Sequence, residues 1–501
     1  MAFTGSDSKS GKMSVGNSET GLAVVVGAGP VGCLAALALA KEGWKVALYE
    51  GRSAQRSVNL AISSRGLAAI YAVDPPLMER IIHDAIPMKG RMLHTTDGKT
   101  ESQLYDRNGQ CINSIDRGLL NEFLLQEAVD FPTIDVYFRH KLVTANFDAR
   151  TLTFFSEEKN QNVDICFDLC MGTDGSYSNV RRQMMRVTRM DYQQEYIPHE
   201  YVELKIPAGT DETGQPSFLL DPNHLHIWPR HSFMLIALPN KDKTFTATLF
   251  APTCVLEPID TTDKAAAWFS EYFPDALRLI GEKKLLNDFE KNPRGSLISI
   301  KAMPYHYKDR CIILGDAAHS MVPFYGQGLN CGLEDVRVLI NIMRSEGAIH
   351  PRKRATGEDV DEPLERAFKR YSETRHEDLV AIRDLAMNNY VEMRHSVTTP
   401  SYIFRKTVDN LFAALTAPYV PFSSLAPRLA REDGGFPIYA AKGWLALYTM
   451  VTFRPDISYA TAKKKVERQS TIITGLGFVS AGVVGITVCL AGVRMILGLR
   501  K

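Results

Sequence analysis

The stretch Gly27-Ala28-Gly29-Pro30-Val31-Gly32 decides the fold. It follows a short apolar, β-branched run from Leu22 to Val26 and precedes the Ala/Leu-rich run from Cys33 to Ala40. That order predicts strand, tight glycine turn and helix start, the context in which GxGxxG spacing means dinucleotide binding. Gly27 permits the turn, Gly29 lets the backbone approach a pyrophosphate, and Gly32 lets helix and strand pack closely. The free N–H groups and positive dipole end of the helix then face the phosphates. A second strand, Lys45 to Tyr49, ends in Glu50, whose carboxylate can accept the hydrogen bonds of a ribose diol. Without a ligand, the same stretch is a Gly-rich strand-to-helix turn.

Around this unit, 501 residues leave room for a large shared core and more than one domain. A net charge of +1 gives no footprint for nucleic acid. The cysteines are scattered, with no CxxC pair and no His/Cys cluster at zinc spacing, so no metal is expected. Free thiols in a reducing compartment are the simplest reading. Residues 1–20 are Ser/Gly/Lys-rich and read as a disordered leader. They carry Asp7 and Glu19 but no arginine, which makes a poor transit peptide.

Residues 21–190 read as the first part of the nucleotide domain. They include strands between Arg91 and Asp116, with hairpin turns expected at Asp97-Gly98 and Asn108-Gly109. Arg117 to Val129 is an amphipathic helix. Residues 191–300 are β-rich, aromatic and punctuated by Pro and Gly, which suggests an antiparallel sheet domain. Residues 301–349 return to the nucleotide domain, 350–362 form a charged loop, and 363–470 are helical. Residues 471–493 carry no charge and are long enough, at ~1.5 Å per residue, to cross a bilayer core of ~30 Å. Lys463, Lys464, Lys465 and Arg468 precede them, and Arg494, Arg500 and Lys501 follow. The expectation is a C-terminal transmembrane anchor in the mitochondrial outer membrane, with the catalytic body in the cytosol. A buried core helix is the other reading, and sequence alone does not separate that membrane from the endoplasmic reticulum.

Two further glycine turns follow buried strands. Gly172-Thr173-Asp174-Gly175-Ser176 comes after Ile165 to Met171 and runs on to Arg181-Arg182. Gly315-Asp316-Ala317-Ala318-His319 continues into Pro323-Phe324-Tyr325-Gly326-Gln327-Gly328-Leu329-Asn330. Asp316 can accept hydrogen bonds from sugar or ribityl hydroxyls. Gly326 and Gly328 let the backbone approach a flat ring, and a helix N-terminus near Leu329 stabilises charge on a reduced flavin. His319 invites a role as a base, but a packed or capping histidine is the commoner use of such a residue.

These three turns, in this order, resemble the fingerprints of single-component FAD-dependent aromatic hydroxylases of the para-hydroxybenzoate hydroxylase type. The resemblance spans roughly Leu22 to Arg344. It implies a Rossmann-like FAD-binding domain, an antiparallel-sheet substrate domain and a C-terminal helical region, an α/β fold. FAD would be held without a covalent bond, and NADPH would visit without a Rossmann fold of its own. It places Gly27, Gly29, Gly32, Glu50, Arg52, Arg117, Asp174, Gly175, Gly315, Asp316, Gly328, Leu329 and Asn330 at the cofactor.

A finer similarity is to the kynurenine-hydroxylating members of that family. It rests on Arg91-Met92-Leu93-His94, Tyr105, Pro323 to Gly328, Asn388 to Arg394 and Leu447 to Phe453. Residues 350–362 and 432–443 look like insertions, and Tyr325 stands where the family has a second phenylalanine. The similarity implies O2- and NADPH-dependent hydroxylation of L-kynurenine to 3-hydroxy-L-kynurenine through a C4a-hydroperoxyflavin. That reaction belongs to tryptophan catabolism and NAD biosynthesis.

The substrate carboxylate calls for a planar, bidentate cation, and Arg91 fits. The similarity assigns Tyr105, Asn389 and Tyr448 to the carboxylate and its surroundings, with Phe324 as an apolar wall. Oxygen transfer requires no acid–base pair or metal from the protein, so no residue is assigned as a catalytic acid or base. Two alternatives stand beside this reading. One is a related flavin monooxygenase acting on a membrane lipid or quinone. The other is a flavin-bearing adaptor whose charged loop, 350–361, binds partners.

Overall fold

The structure is a computed structural model that describes residues 21–52, 59–106, 108–352, 360–394, 400–430 and 441–475. The leader 1–20, most of the charged loop and most of the insert at 432–443 lie outside the described residues.

A six-stranded sheet carries the nucleotide fold. Its order is His306–Tyr307, Cys311–Ile313, Leu169–Gly172, Leu22–Val26, Lys45–Glu50, Ile134–Phe138, parallel except for the first strand. Leu22–Val26 is central, pairs on both sides and is an apolar run as parallel strands require. Helix Pro30–Lys41 has proline in its first turn and buries an almost unbroken Ala/Leu surface. The three glycine turns all leave the same carboxyl edge of this sheet, where open α/β sheets bind ligands.

A seven-stranded sheet forms the second layer, in the order Gly295–Met303, Asp191–Ile206, Phe245–Pro252, Phe233–Pro239, His224–Arg230, Gly90–His94, Thr100–Leu104. The sequence suggests an antiparallel sheet here, and all neighbours but one are antiparallel. Gly90–His94 joins His224–Arg230 in parallel, because it arrives from the nucleotide part of the chain rather than through a hairpin. The expected turn at Asp97-Gly98 links Gly90–His94 to Thr100–Leu104. Asn108-Gly109 makes no hairpin: Ile112–Asp116 instead pairs with Asn59–Ile62 and Ile86–Met88.

Side chains in this sheet alternate with the pleat. Phe233, Leu235, Ala237, Ala247 and Leu249 pack on helices Thr262–Tyr272, Pro274–Ile280 and Glu282–Lys291. Met234, Ile236, Leu238, Thr248 and Phe250 point the other way, into a cavity. Helix Glu362–Arg394 bridges the two layers and buries Phe368, Tyr371 and Arg375.

The expectation of a C-terminal transmembrane helix is corrected: among the described residues no helix is long and apolar enough to cross a membrane. The helix at 459–475 carries Lys463, Lys464, Lys465, Glu467 and Arg468. It is fastened to the body through Lys463–Asp384 at 2.7 Å and Gln469 Nε2 to the Leu445 carbonyl at 3.2 Å. Residues 476–493 of the expected span lie outside the described residues.

Candidate functional site

One continuous cavity of about 410 Å³ lies between the two sheets. One end is lined by Gly29, Pro30, Thr173, Gly175, Arg117 and Asp316, and the other by Arg91, Asn389, Met393 and Tyr448. Phe324 to Leu329 run along the wall between them.

The glycines at the first end divide by role. Gly27 has φ +106°, and a Cβ there would meet the Thr173 carbonyl oxygen at 2.6 Å. A Cβ on Gly32 would lie 1.9 Å from the Gly27 carbonyl oxygen. These two hold the turn closed. Gly29 differs: a Cβ there meets nothing within 4 Å and would project into cavity space. Gly315, at φ +58°, and Gly175, at φ +79°, supply the other two turns.

Helices Pro30–Lys41 and Gly328–Ser345 both start at the cavity wall, and neither has a side-chain cap. Their first N–H groups are therefore available to an anion or a polar ring edge. Asp316 is exposed and faces the cavity. The Glu50 carboxylate accepts from Ala28 N at 3.0 Å and Arg52 N at 2.9 Å. It holds the glycine turn and keeps acceptor capacity for a diol. Asp174 does not itself line the cavity: its Oδ2 accepts from Asn179 N at 2.6 Å and Val180 N at 3.2 Å at the start of helix Asn179–Met184, and burial raises its pKa. Two uncapped helix starts, an exposed Asp316 and a glycine open to the cavity fit a dinucleotide with a flat ring.

Asn330 does something different from contacting a ligand. Its Oδ1 accepts from Ser63 N at 2.8 Å, and its Nδ2 donates to the Ala61 and Gly326 carbonyls at 2.9 and 2.7 Å. It staples strand Asn59–Ile62 to the Gly326 turn, and both border the cavity. His319 is buried, with Nε2 against Asp335 Oδ2 at 2.5 Å. That carboxylate also accepts Gly315 N, so His319 braces the third glycine turn and does not line the cavity. Cys331 lies beside His319 and Asp335, but Arg375 donates to both Cys331 and Asp335, which disfavours a cation there.

At the second end, Arg91 is buried, and its Nη1 meets Glu392 Oε1 at 3.2 Å. Tyr105 and Tyr448 stack at 4.7 Å, and the Arg91 guanidinium lies 5.9 and 5.2 Å from their ring centres. Tyr448 lines the cavity, whereas Tyr105 backs it. Burial, only partly offset by Arg91, raises the Tyr105 pKa, so the phenol stays protonated. Asn389 Nδ2 donates to the Phe324 carbonyl at 2.7 Å and fixes the 323–325 turn. Phe324 in turn stacks on Tyr390 at 3.9 Å.

Sequence reasoning assigned no role to Lys406 or Glu392. Lys406, on helix Pro400–Thr416, has its pKa lowered to about 8 by burial and by Arg91, against the pull of Glu392. No local signal marks Lys406. Glu392 sits three residues after Asn389, on the same helical face, which is a signal the sequence does contain.

Residues 20–346 match the FAD binding domain family. A kynurenine 3-monooxygenase of Cryptococcus neoformans is 47% identical over 494 residues, covering 92% of this chain and 95% of that protein. The chain belongs to the kynurenine 3-monooxygenase family. It is thus an FAD-dependent monooxygenase. Family members from Yarrowia lipolytica and Saccharomyces cerevisiae are 43% and 40% identical, covering 90% and 92% of this chain and 92% and 96% of their own lengths. The fold is shared more widely. A 2-methyl-3-hydroxypyridine-5-carboxylic acid oxygenase superposes with a TM-score of 0.59 at 18% identity, covering 77% of this chain and 95% of its own. Klebsiella pneumoniae HpxO, solved with FAD and uric acid, gives 0.57 at 19% identity, covering 82% and 93%.

Proposed function

We propose that the protein hydroxylates L-kynurenine to 3-hydroxy-L-kynurenine with NADPH and O2, a step of tryptophan catabolism toward NAD. The observation that carries this reading is the continuous cavity with a dinucleotide cradle at one end and buried Arg91 at the other. When bound, FAD would pass the two electrons of NADPH to O2 and so activate it, chemistry that the side chains here cannot supply.

The protein's part is placement and exclusion of water. Gly29, Pro30, Glu50, Arg117 and Asp316 would hold the dinucleotide, and Gly328 and Leu329 would present a helix N-terminus to its ring. Arg91 binds the substrate carboxylate, with Tyr448 and Tyr105 packed against the guanidinium. Leu225, Met234, Ile236, Leu238, Phe250 and Phe324 make the walls apolar. An aminophenyl ring held among them is oriented and kept from water, which would otherwise divert the oxidant. Asn389 keeps Phe324 in place through its carbonyl. NADPH needs no second glycine fingerprint if it meets the flavin at the Asp174-Gly175 side.

The test is NADPH consumption by the flavin-loaded full chain with and without L-kynurenine. Kynurenine should accelerate consumption and be converted to its 3-hydroxy product. A rate indifferent to kynurenine would remove the proposal.

A further inference from the structure

The carboxylate anchor has an anion beside it. Glu392 Oε1 stands 3.2 Å from Nη1 of Arg91, the guanidinium proposed to take the substrate carboxylate. A bare carboxylate ligand would meet repulsion from Glu392 as well as attraction from Arg91. An α-amino acid differs, because its carboxylate and ammonium hang on one carbon. Recognising both needs a cation and an anion side by side.

We infer that Glu392 accepts the α-ammonium of the substrate while Arg91 takes its α-carboxylate, so that the site selects a zwitterionic amino acid. The inference rests on the proposed reaction and deepens it. Asn389, Glu392 and Met393 fall at i, i+3 and i+4 of helix Glu362–Arg394, one face of the helix. Asn389 and Met393 line the cavity. The Glu392 side chain is 35% exposed, whereas Glu334, which pairs with Arg65 and Arg375, is sealed at 0%. The sealed group is a structural counter-ion. Glu392 is not itself one of the residues lining the cavity, but its side chain keeps exposed surface beside Arg91, which does line it. A zwitterion meeting the Arg91–Glu392 pair offers each of them an opposite charge and brings no net charge into an apolar cavity. Lys406 also faces the pair, with Glu101 near it. If Glu392 merely balanced Arg91 and Lys406, its loss would act alike on every carboxylate ligand.

That difference defines the experiment. Steady-state kinetics of the FAD-loaded full chain are measured for the parent, Glu392→Gln and Glu392→Asp. The ligands are L-kynurenine and its analogue lacking the α-amino group, an aminophenyl oxobutanoate, used as substrate or as competitor. In Glu392→Gln the KM for kynurenine should rise roughly ten- to a hundredfold, the value of a hydrogen bond to a charged group. The kcat should change little, and affinity for the deamino analogue should hold or improve. Glu392→Asp, which keeps the charge, should recover part of the loss, and the flavin spectrum of each variant reports its folding. Equal losses for both ligands, or no loss for kynurenine, would overturn the inference while leaving the proposed reaction standing. A parent enzyme that ignores kynurenine would instead overturn both.

Discussion

Arg65 and Glu334 meet at 2.9 Å with neither side chain exposed. The rest of the guanidinium donates to carbonyls at the end of helix Leu447–Phe453 and just beyond it: Met450 at 3.1 Å, Val451 at 2.6 Å and Arg454 at 3.3 Å, with Ile457 also engaged. Glu334 lies on the helix that starts at Gly328. One buried arginine therefore joins the helix that starts at the cavity wall to the segment that carries Tyr448.

Removing one partner of a buried ion pair leaves the other charge uncompensated. Arg65→Ala should therefore lower stability by about 3–5 kcal/mol, read from the shift of a denaturant midpoint. A midpoint unchanged from the parent would mean that Glu334 is satisfied by Arg375 and Arg337 alone.

The glycines of the first turn should separate by experiment. Gly32→Ala places a methyl 1.9 Å from the Gly27 carbonyl oxygen, so both folding yield and flavin content should fall. Gly29→Ala places it in open cavity space, so the chain should fold normally and lose flavin affinity alone. Flavin retained through gel filtration, compared with the melting curve, distinguishes the two.

Arg91→Ala should spare flavin binding and raise the kynurenine KM by one to two orders of magnitude, the loss of a charge-assisted, bidentate contact. Arg91→Lys should recover little, since an ammonium cannot match a planar carboxylate with two parallel bonds. Unchanged saturation kinetics in Arg91→Ala would take that residue out of the site.

Lys406 gives a pH signature. Burial and the neighbouring Arg91 lower its pKa from the ordinary 10.5 to about 8, so the unfolded chain holds more protons between those values. The cost of charging it when folded is full below pH 8 and disappears as the pH rises toward 10.5. Lys406→Met should therefore gain stability at neutral pH, and the gain should shrink as the pH rises through that window. Denaturant midpoints of parent and variant across the range check this. A constant difference would contradict it.

Much of this site was legible in the chain because its signals are local. A glycine spacing between a β-branched strand and an Ala/Leu helix reports its own geometry, as Gly27, Gly29 and Gly32 do. The return of Gly175 and Asp316 to the same cavity edge needed only that each follow a buried strand. What stayed hidden is pairing over long distances. Arg65 and Val451 are 386 residues apart, and nothing near either one signals the contact. Asn330 reads as a ligand-contacting residue from its motif, but its side chain bonds to the backbone of Ser63, Ala61 and Gly326. Gly90–His94 looks like half of a hairpin. Its second partner, His224–Arg230, lies in another part of the chain and runs parallel. The apolar run at 471–493 suggests a spanning helix by composition, but the described helix leading toward it is charged and tied to the body.

The most direct measurement is product analysis under labelled oxygen. The FAD-loaded full chain is supplied with NADPH, L-kynurenine and ¹⁸O2, and product and NADPH are both counted. The account predicts 3-hydroxykynurenine carrying one ¹⁸O atom, formed in step with NADPH consumed. Unlabelled product, or NADPH consumed with kynurenine left intact, would contradict it.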